Sequence, residues 1–474
     1  MIKVNEEKEF HLQTENTSYI MKVLPTGHLA NPYYGKKIKH RKDFSTLYQN
    51  YNIEVGNSTA YSEESGHFTL NTTRLEVASY GKGDYREPSI HLNFADNSRV
   101  SDFLYQDYNI TEGKIDFVNL PELEISGENT LEIILADKIK NVELHLFYKV
   151  FEDHDIITRS VKVINKGEDE LRIEKLMSFN LDLGQSNFDI YSLDGKWIKE
   201  RHLNKHELES GTFYIDSKKG VSSSDHNPFL ALKDRKRNEV YGFSLIYSGN
   251  HQALVEKSPH DFSRMQMGIN PFDFNWLLKE NESFQSPEMM MTFSHEGFMK
   301  MSQNFHDIIN NNLIPEKWRK KPRPILFNNW EATYFDFDER KLLKLAKEAK
   351  DLGIELFVLD DGLYANRNDD SSSLGDWYVN KDKLGSGIKG LSEKINNLGL
   401  EFGIWVEPEM VSIDSELYRK HPEWAVKLND RKVSLGRNQL LLDLSNSEVV
   451  EYLYNQLSSL FKKANISYVK WDMN

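Results

Sequence analysis

Ile354-Glu355-Leu356-Phe357-Val358-Leu359-Asp360-Asp361-Gly362 is the stretch that decides the architecture of the C-terminal part of the chain. Its apolar run is broken only by Glu355, and it closes on two acids and a turn-forming glycine. A strand with one wet face would alternate; a run apolar at successive positions fits a strand of a parallel sheet, covered on both faces. On its N-terminal side, Leu342, Leu345, Ala346, Ala349 and Leu352 recur at helical spacing, with Asp338 placed to cap the start and Gly353 to stop the end. A short strand, Ile325 to Phe327, precedes that helix.

Downstream the alternation continues. A helix over Leu391 to Leu398 ends at Gly399, and a strand follows from Leu400 to Val406. The next helix spans Val449 to Ala464, with Val450, Leu453, Tyr454, Leu457, Leu460 and Phe461 on its apolar side. Ile466 to Trp471 is the fourth strand. Strand and helix in turn, joined by polar loops, predict strands 1–4 of a (β/α)8 TIM barrel, its first half, over residues 325–474.

The N-terminal part has a different texture. Leu144 and Leu146 share one face of a strand, and Ile157, Val161 and Val163 repeat at period two beyond a turn at Asp153-His154-Asp155. Phe68 to Val77, Leu131 to Leu135 and Val240 to Ile246 read as further strands, punctuated by turns at Asp194-Gly195 and Lys219-Gly220. Many short strands without long helices predict a β-supersandwich over residues 1–313, with a helical stretch at about 297–313. Residues 314–324 hold Pro315, Pro322 and Pro324 among basic residues and read as a linker.

The chain of 474 residues has 59 basic and 73 acidic side chains, a formal net charge of -14, which disfavours nucleic acid as a partner. It contains no cysteine, so disulfides, thiolate metal sites and a cysteine nucleophile are excluded. No apolar run has the length of a membrane span, and the first ten residues carry no apolar stretch; a cytoplasmic protein without membrane contact is expected. His202 and His206 stand four apart without the glutamate of a metalloprotease helix and are taken as surface residues.

In such barrels the reactive groups lie at the C-terminal ends of the strands. Those ends read Asn328-Asn329-Trp330-Glu331, Asp360-Asp361-Gly362, Trp405-Val406-Glu407-Pro408-Glu409 and Lys470-Trp471-Asp472-Met473-Asn474. Carboxylates accept paired hydrogen bonds from neighbouring hydroxyls, and tryptophan faces stack on sugar rings, so the pattern suits a sugar pocket. Lys470 and Asp472 stand two apart on one strand and face the same way, which sets a cation beside a carboxylate suited to nucleophilic attack. An ordinary strand-end ion pair and an ordinary Asp-Asp-Gly turn remain the plain readings of these residues.

Together, Trp330-Glu331-Ala332-Thr333, Leu359-Asp360-Asp361-Gly362, Ser373-Leu374-Gly375-Asp376-Trp377, Trp405-Val406-Glu407-Pro408-Glu409-Met410 and Lys470-Trp471-Asp472-Met473-Asn474 resemble the glycoside hydrolase family 36 α-galactosidases. Gly81-Lys82-Gly83-Asp84-Tyr85-Arg86-Glu87-Pro88 resembles a segment of that family's N-terminal sandwich. The resemblance implies a retaining glycosidase acting on melibiose- and raffinose-type α-galactosides. It casts Asp472 as nucleophile; Trp330, Asp360, Asp361, Trp405, Arg437, Lys470 and Asn474 as substrate contacts; no metal and no cofactor; and a homo-oligomer, tetrameric by analogy. The family's acid/base aspartate lies on a later strand, so none is assigned here and the chain is expected to be an incomplete form. Where the family has an aromatic after Asp-Asp-Gly, this chain has Leu363, and Tyr364 is the candidate substitute. The alternatives are an α-N-acetylgalactosaminidase or galactosyltransferase of the same family, or a non-catalytic galactose-binding fragment.

Overall fold

A computed structural model describes the chain except residues 49–55, 57–58, 112–118, 126–129 and 474. It divides into two units, Met1–Arg319 and Lys320–Asn474.

Period-two alternation builds the first unit. Strand Val142–Phe151 buries Val142, Leu144, Leu146 and Tyr148 while Glu143, His145 and Phe147 are less covered. It pairs antiparallel with Ile156–Asn165, Phe151 opposite Ile156, across a single 3-10 turn at Glu152–His154 and a left-handed Asp155 (φ 52°). These strands lie in a ten-stranded sheet, beside a six-stranded sheet centred on Leu171–Leu183 and a four-stranded antiparallel sheet formed by residues 2–36. One core joins them: Leu144 and Leu146 from the large sheet, Ile173 and Phe179 from the second, Phe10 and Tyr19 from the third. The helix Phe298–Ile308 lays Met301, Phe305 and Ile308 against Val240 and Met290 of the large sheet. A π-helical turn, Ile309–Leu313, and a one-turn helix, Glu316–Arg319, close the unit.

Two expectations for this unit are corrected. Phe68 to Val77 is not a strand; it holds a 3-10 turn, Leu70–Thr72, and makes a single bridge, between Ala30 and Leu75, among the described residues. Thr69 explains it: its hydroxyl accepts from the Asn71 N–H and its carbonyl from the Thr73 hydroxyl, local bonds that displace a ladder. Asp194-Gly195 is not the hairpin turn but part of strand Phe188–Lys196, where the register slips between Asp194 and Lys196. The Asp194 carboxylate is held in the sheet by Ser192, Asn204 and His226. His202 and His206 are exposed on the partner strand Lys199–Glu207, as read.

Asp84 and Arg86 of the 81–88 segment are buried in this unit. Arg264 donates to Asp182 at 2.7 Å and to Asp84 at 2.8 Å; Arg86 donates to Asp84 at 2.8 Å and to Asp182 at 3.1 Å. Two guanidiniums thus neutralise two carboxylates in a closed ring.

The second unit carries four parallel strands in the order β1 (Leu326–Asn328), β2 (Leu356–Leu359), β3 (Glu401–Val406) and β4 (Tyr468–Trp471). Helix α1 (Glu339–Asp351) starts at Asp338, whose carboxylate accepts from the Lys341 N–H at 2.7 Å. Gly353 follows with φ 87°, the left-handed stop that glycine adopts without strain. Helices α2 (Gly387–Asn397) and α3 (Ser447–Lys463) complete the alternation. The core combines Leu342 and Ala346 of α1, Phe357 and Leu359 of β2, Leu391 and Ile395 of α2, Phe402 and Ile404 of β3, and Leu457 and Leu460 of α3. On α3 the apolar side is rotated from the expected one: Val449, Leu453, Leu457 and Leu460 are buried, whereas Val450 and Tyr454 are exposed. The loops above the strands hold structure of their own: a helical turn Trp330–Thr333, a helix Glu416–Lys420, and a two-stranded ribbon of Met410–Ser412 with Gln439–Leu441.

Candidate active site

The C-terminal ends of β1 to β4 bring Asp360, Asp361, Trp405, Lys470 and Asp472 into one bonded group. Parallel pairing sets the heights: Trp405 lies opposite Lys470 and Val406 opposite Trp471, and the Asp472 N–H donates to the Val406 carbonyl at 2.8 Å. Asp472 is thereby fixed at the strand end, its side chain about a third exposed. The Trp405 indole N–H donates to Asp472 Oδ2 at 3.0 Å, while Trp405 itself is buried in the core. Its carbonyl accepts from the Tyr364 hydroxyl at 3.0 Å, and Tyr364 packs edge-on to Trp377.

Lys470 was read as the partner of Asp472, and here the structure shifts the emphasis. Its ammonium donates to Asp360 Oδ2 at 2.9 Å and stands 3.9 Å from Asp472 Oδ2. Burial works against its charge, but the hydrogen bond to Asp360 and the charges of Asp360, Asp472 and Glu331 outweigh burial and raise its pKa. Lys470 is therefore a fixed cation through the neutral range, shared by two carboxylates.

Asp360 is buried and fully engaged. Its Oδ2 accepts from Asn328 as well as Lys470, its Oδ1 from the Asp361 N–H at 2.9 Å, and its own N–H donates to Asn329 at 2.8 Å. Asp361 lies beside it, also buried, its Oδ1 accepting from the Gly362 N–H and from Arg367. Gly362 takes φ 99°, and a Cβ there would stand 3.0 Å from the Phe335 ring, so the turn that presents both acids requires glycine. Burial pushes the Asp361 carboxyl above its usual range, with Arg367 and the Gly362 N–H acting the other way.

Trp330 is partly covered, edge-on to Tyr334 and Phe335. The Arg437 guanidinium lies over its ring at 5.7 Å and 3.7 Å from Asp370; Arg437 and Asn438 both take positive φ, 46° and 62°. Asn474 lies outside the described residues. Leu363 and Tyr364 are both buried in the core, so Tyr364 serves as a strut under Trp405 and not as an open stacking face.

Sequence reasoning passed over three residues of this group. Asn328 was quoted at a strand end but given no role, although it bonds Asp360 and accepts from the Trp330 N–H. Arg367 sits in a polar loop with no motif to mark it. Trp471 donates its indole N–H to Glu409 at 3.1 Å, tying β4 to the loop after β3. Period two could have paired Asn328 with Trp330 as same-face neighbours; nothing local marks Arg367.

Comparison with known proteins places the chain in a family. The glycosyl hydrolase family 36 N-terminal domain matches residues 27–279, and the Melibiase family matches residues 283–474. Alpha-galactosidase AgaA of Geobacillus stearothermophilus is 42% identical over 99% of this chain, which spans 65% of that protein. The bifunctional alpha-galactosidase/sucrose kinase AgaSK of Mediterraneibacter gnavus is 39% identical over 99% of this chain, which spans 50% of it. Among solved structures, the alpha-galactosidase from Lactobacillus brevis superposes with a TM-score of 0.97 at 38% identity, over 100% of this chain and 64% of its own. An AgaA variant in complex with raffinose superposes at 0.95 and 41% identity, over 98% of this chain and 66% of its own. With its sandwich matched by one family model and its acid-tipped strands by the other, the chain belongs to glycosyl hydrolase family 36.

Proposed function

We propose that the protein is a retaining α-galactosidase that releases terminal α-D-galactose from raffinose-type galactosides. In this reading β1 to β4 are the first four strands of a (β/α)8 barrel and Asp472 is the nucleophile. The observation that carries it is the setting of Asp472: a carboxylate at the shared C-terminal end of parallel strands, aligned by the Trp405 N–H at 3.0 Å with the Lys470 ammonium at 3.9 Å. A carboxylate so held, and still partly open, can attack an anomeric carbon and form a covalent glycosyl-enzyme. Asp360, bonded to Lys470 and to the Asp361 N–H at the same strand ends, is assigned to sugar binding. Relatives support the substrate class: AgaA variants have been crystallised with raffinose and with stachyose.

The test is hydrolysis of an aryl α-galactoside by the full-length protein and by its Asp472→Ala variant. Loss of the nucleophile should lower kcat by a factor of about 10⁴ or more. Undiminished turnover by Asp472→Ala would overturn the assignment.

A further inference from the structure

Arg367 is wholly buried, yet it comes from a loop and not from a strand of the sheet. Its Nε donates to Asp361 Oδ1 at 2.6 Å and its Nη1 to the Ser372 carbonyl at 2.9 Å. Its guanidinium lies 5.9 Å from the centres of both the Trp405 and Phe335 rings. One side chain thus joins the Asp360-Asp361 turn, the tryptophan that holds Asp472 and the loop beyond. The backbone around it is cinched from another side: the Lys383 ammonium donates to the Gly362 and Phe335 carbonyls at 3.0 Å and to the Arg367 carbonyl at 3.4 Å.

What this frame leaves over is informative. Asp361 Oδ2 and Arg367 Nη2 are both buried without a hydrogen-bond partner, an acceptor and a donor on two side chains already joined through Oδ1 and Nε. Buried polar atoms are rarely left so in a finished fold, and a carboxylate oxygen in that state is expensive. A hydroxyl can donate to the first and accept from the second. We propose that Arg367 is a positioning residue, which fixes Asp361 so that Oδ2 is left to receive a sugar hydroxyl. The proposal rests on the galactoside reading above and extends it to a residue outside the strand-end motifs.

The titratable groups facing Asp361 are Asp360 from the same turn, Arg367 and the neutral Tyr364 phenol from the loop, and Lys383 from beyond it. Burial and Asp360 favour the protonated acid; Arg367 opposes them most directly. Without the guanidinium, Asp361 would take up a proton at a higher pH and lose acceptor strength there. A purely structural role would instead weaken binding equally at every pH.

The experiment is calorimetric titration of D-galactose into the protein, from about pH 5.5 to about pH 8, for the unsubstituted chain, Arg367→Gln and Arg367→Lys. Arg367→Gln should bind about tenfold or more weakly at the acid end and recover to within roughly threefold at the alkaline end, while Arg367→Lys keeps the parent's pH profile. Equal loss by Arg367→Gln at all pH values, or no loss, overturns the proposal. If the unsubstituted chain binds no galactose, the galactoside reading falls and this proposal with it. Should Arg367→Gln fail to fold, Arg367→Lys and Asp361→Asn decide: Arg367→Lys should add no further loss in the Asp361→Asn background, and independent, additive losses refute the coupling.

Discussion

Trp405 does two jobs with one side chain. Its ring is buried between Arg367 and the core, and its N–H is spent on the Asp472 carboxylate. Trp405→Phe separates the two, keeping most of the apolar contact and removing the donor. A hydrogen bond to a charged group contributes about 1.5–3 kcal/mol, so kcat on an aryl α-galactoside should fall roughly 10- to 100-fold. Because the ring is buried, the smaller side chain should also lower stability, by about 1–3 kcal/mol, so kcat is compared where both proteins are folded. A variant with wild-type kcat would show that Asp472 does not depend on this donor. Lys470 is the other half of the device: bonded to Asp360 and 3.9 Å from Asp472, it links the residue read as nucleophile to one read as a sugar contact.

At the scale of elements, the second unit was legible because its strands and caps are local. An apolar run at Leu356–Leu359, an N-cap at Asp338 and a left-handed Gly353 each act within a few residues. The loops were not legible, since the ribbon of Met410–Ser412 with Gln439–Leu441 pairs segments far apart in sequence, and Arg367 is recognisable only once Asp361 stands beside it. On α3 the periodicity was right but the burial boundary was not, because a repeat of 3.6 residues defines a stripe without saying which edge the sheet covers. The 81–88 segment has the same character: nothing local marks Asp84 and Arg86 as buried until Asp182 and Arg264 arrive from other strands. Asp182→Ala would leave two buried guanidiniums facing one carboxylate. Breaking such a network costs about 3–5 kcal/mol, which should appear as a lower urea midpoint for the first unit. An unchanged midpoint would mean that water replaces the lost partner.

For the molecule as a whole, acid should act through two buried histidines of the first unit. Burial, with help from His40, pushes His11 down to about 3, and burial pushes His251 down to about 4. Both rings are neutral when folded, whereas unfolding lets each take up a proton near the ordinary histidine value of 6.5. Their contribution is therefore full above that value and is lost as pH falls below it. At about 1.4 kcal/mol per pH unit for each proton, lowering the pH to about 5 should remove roughly 2 kcal/mol per histidine. Urea unfolding across that range checks it; a flat stability profile, or one unaltered in His251→Gln, would refute it.

The four-stranded sheet has a consequence for alignment. Among the described residues β2 and β3 are paired on both sides, whereas β4 is paired only with β3 and is largely uncovered. Asp472 follows directly after β4, its own N–H pinned by a single bond to the Val406 carbonyl. The residue assigned to attack thus takes its height from the register of β4 against β3. Any shift of β4 along β3 would therefore move Asp472 relative to Asp360 and Asp361, which follow β2.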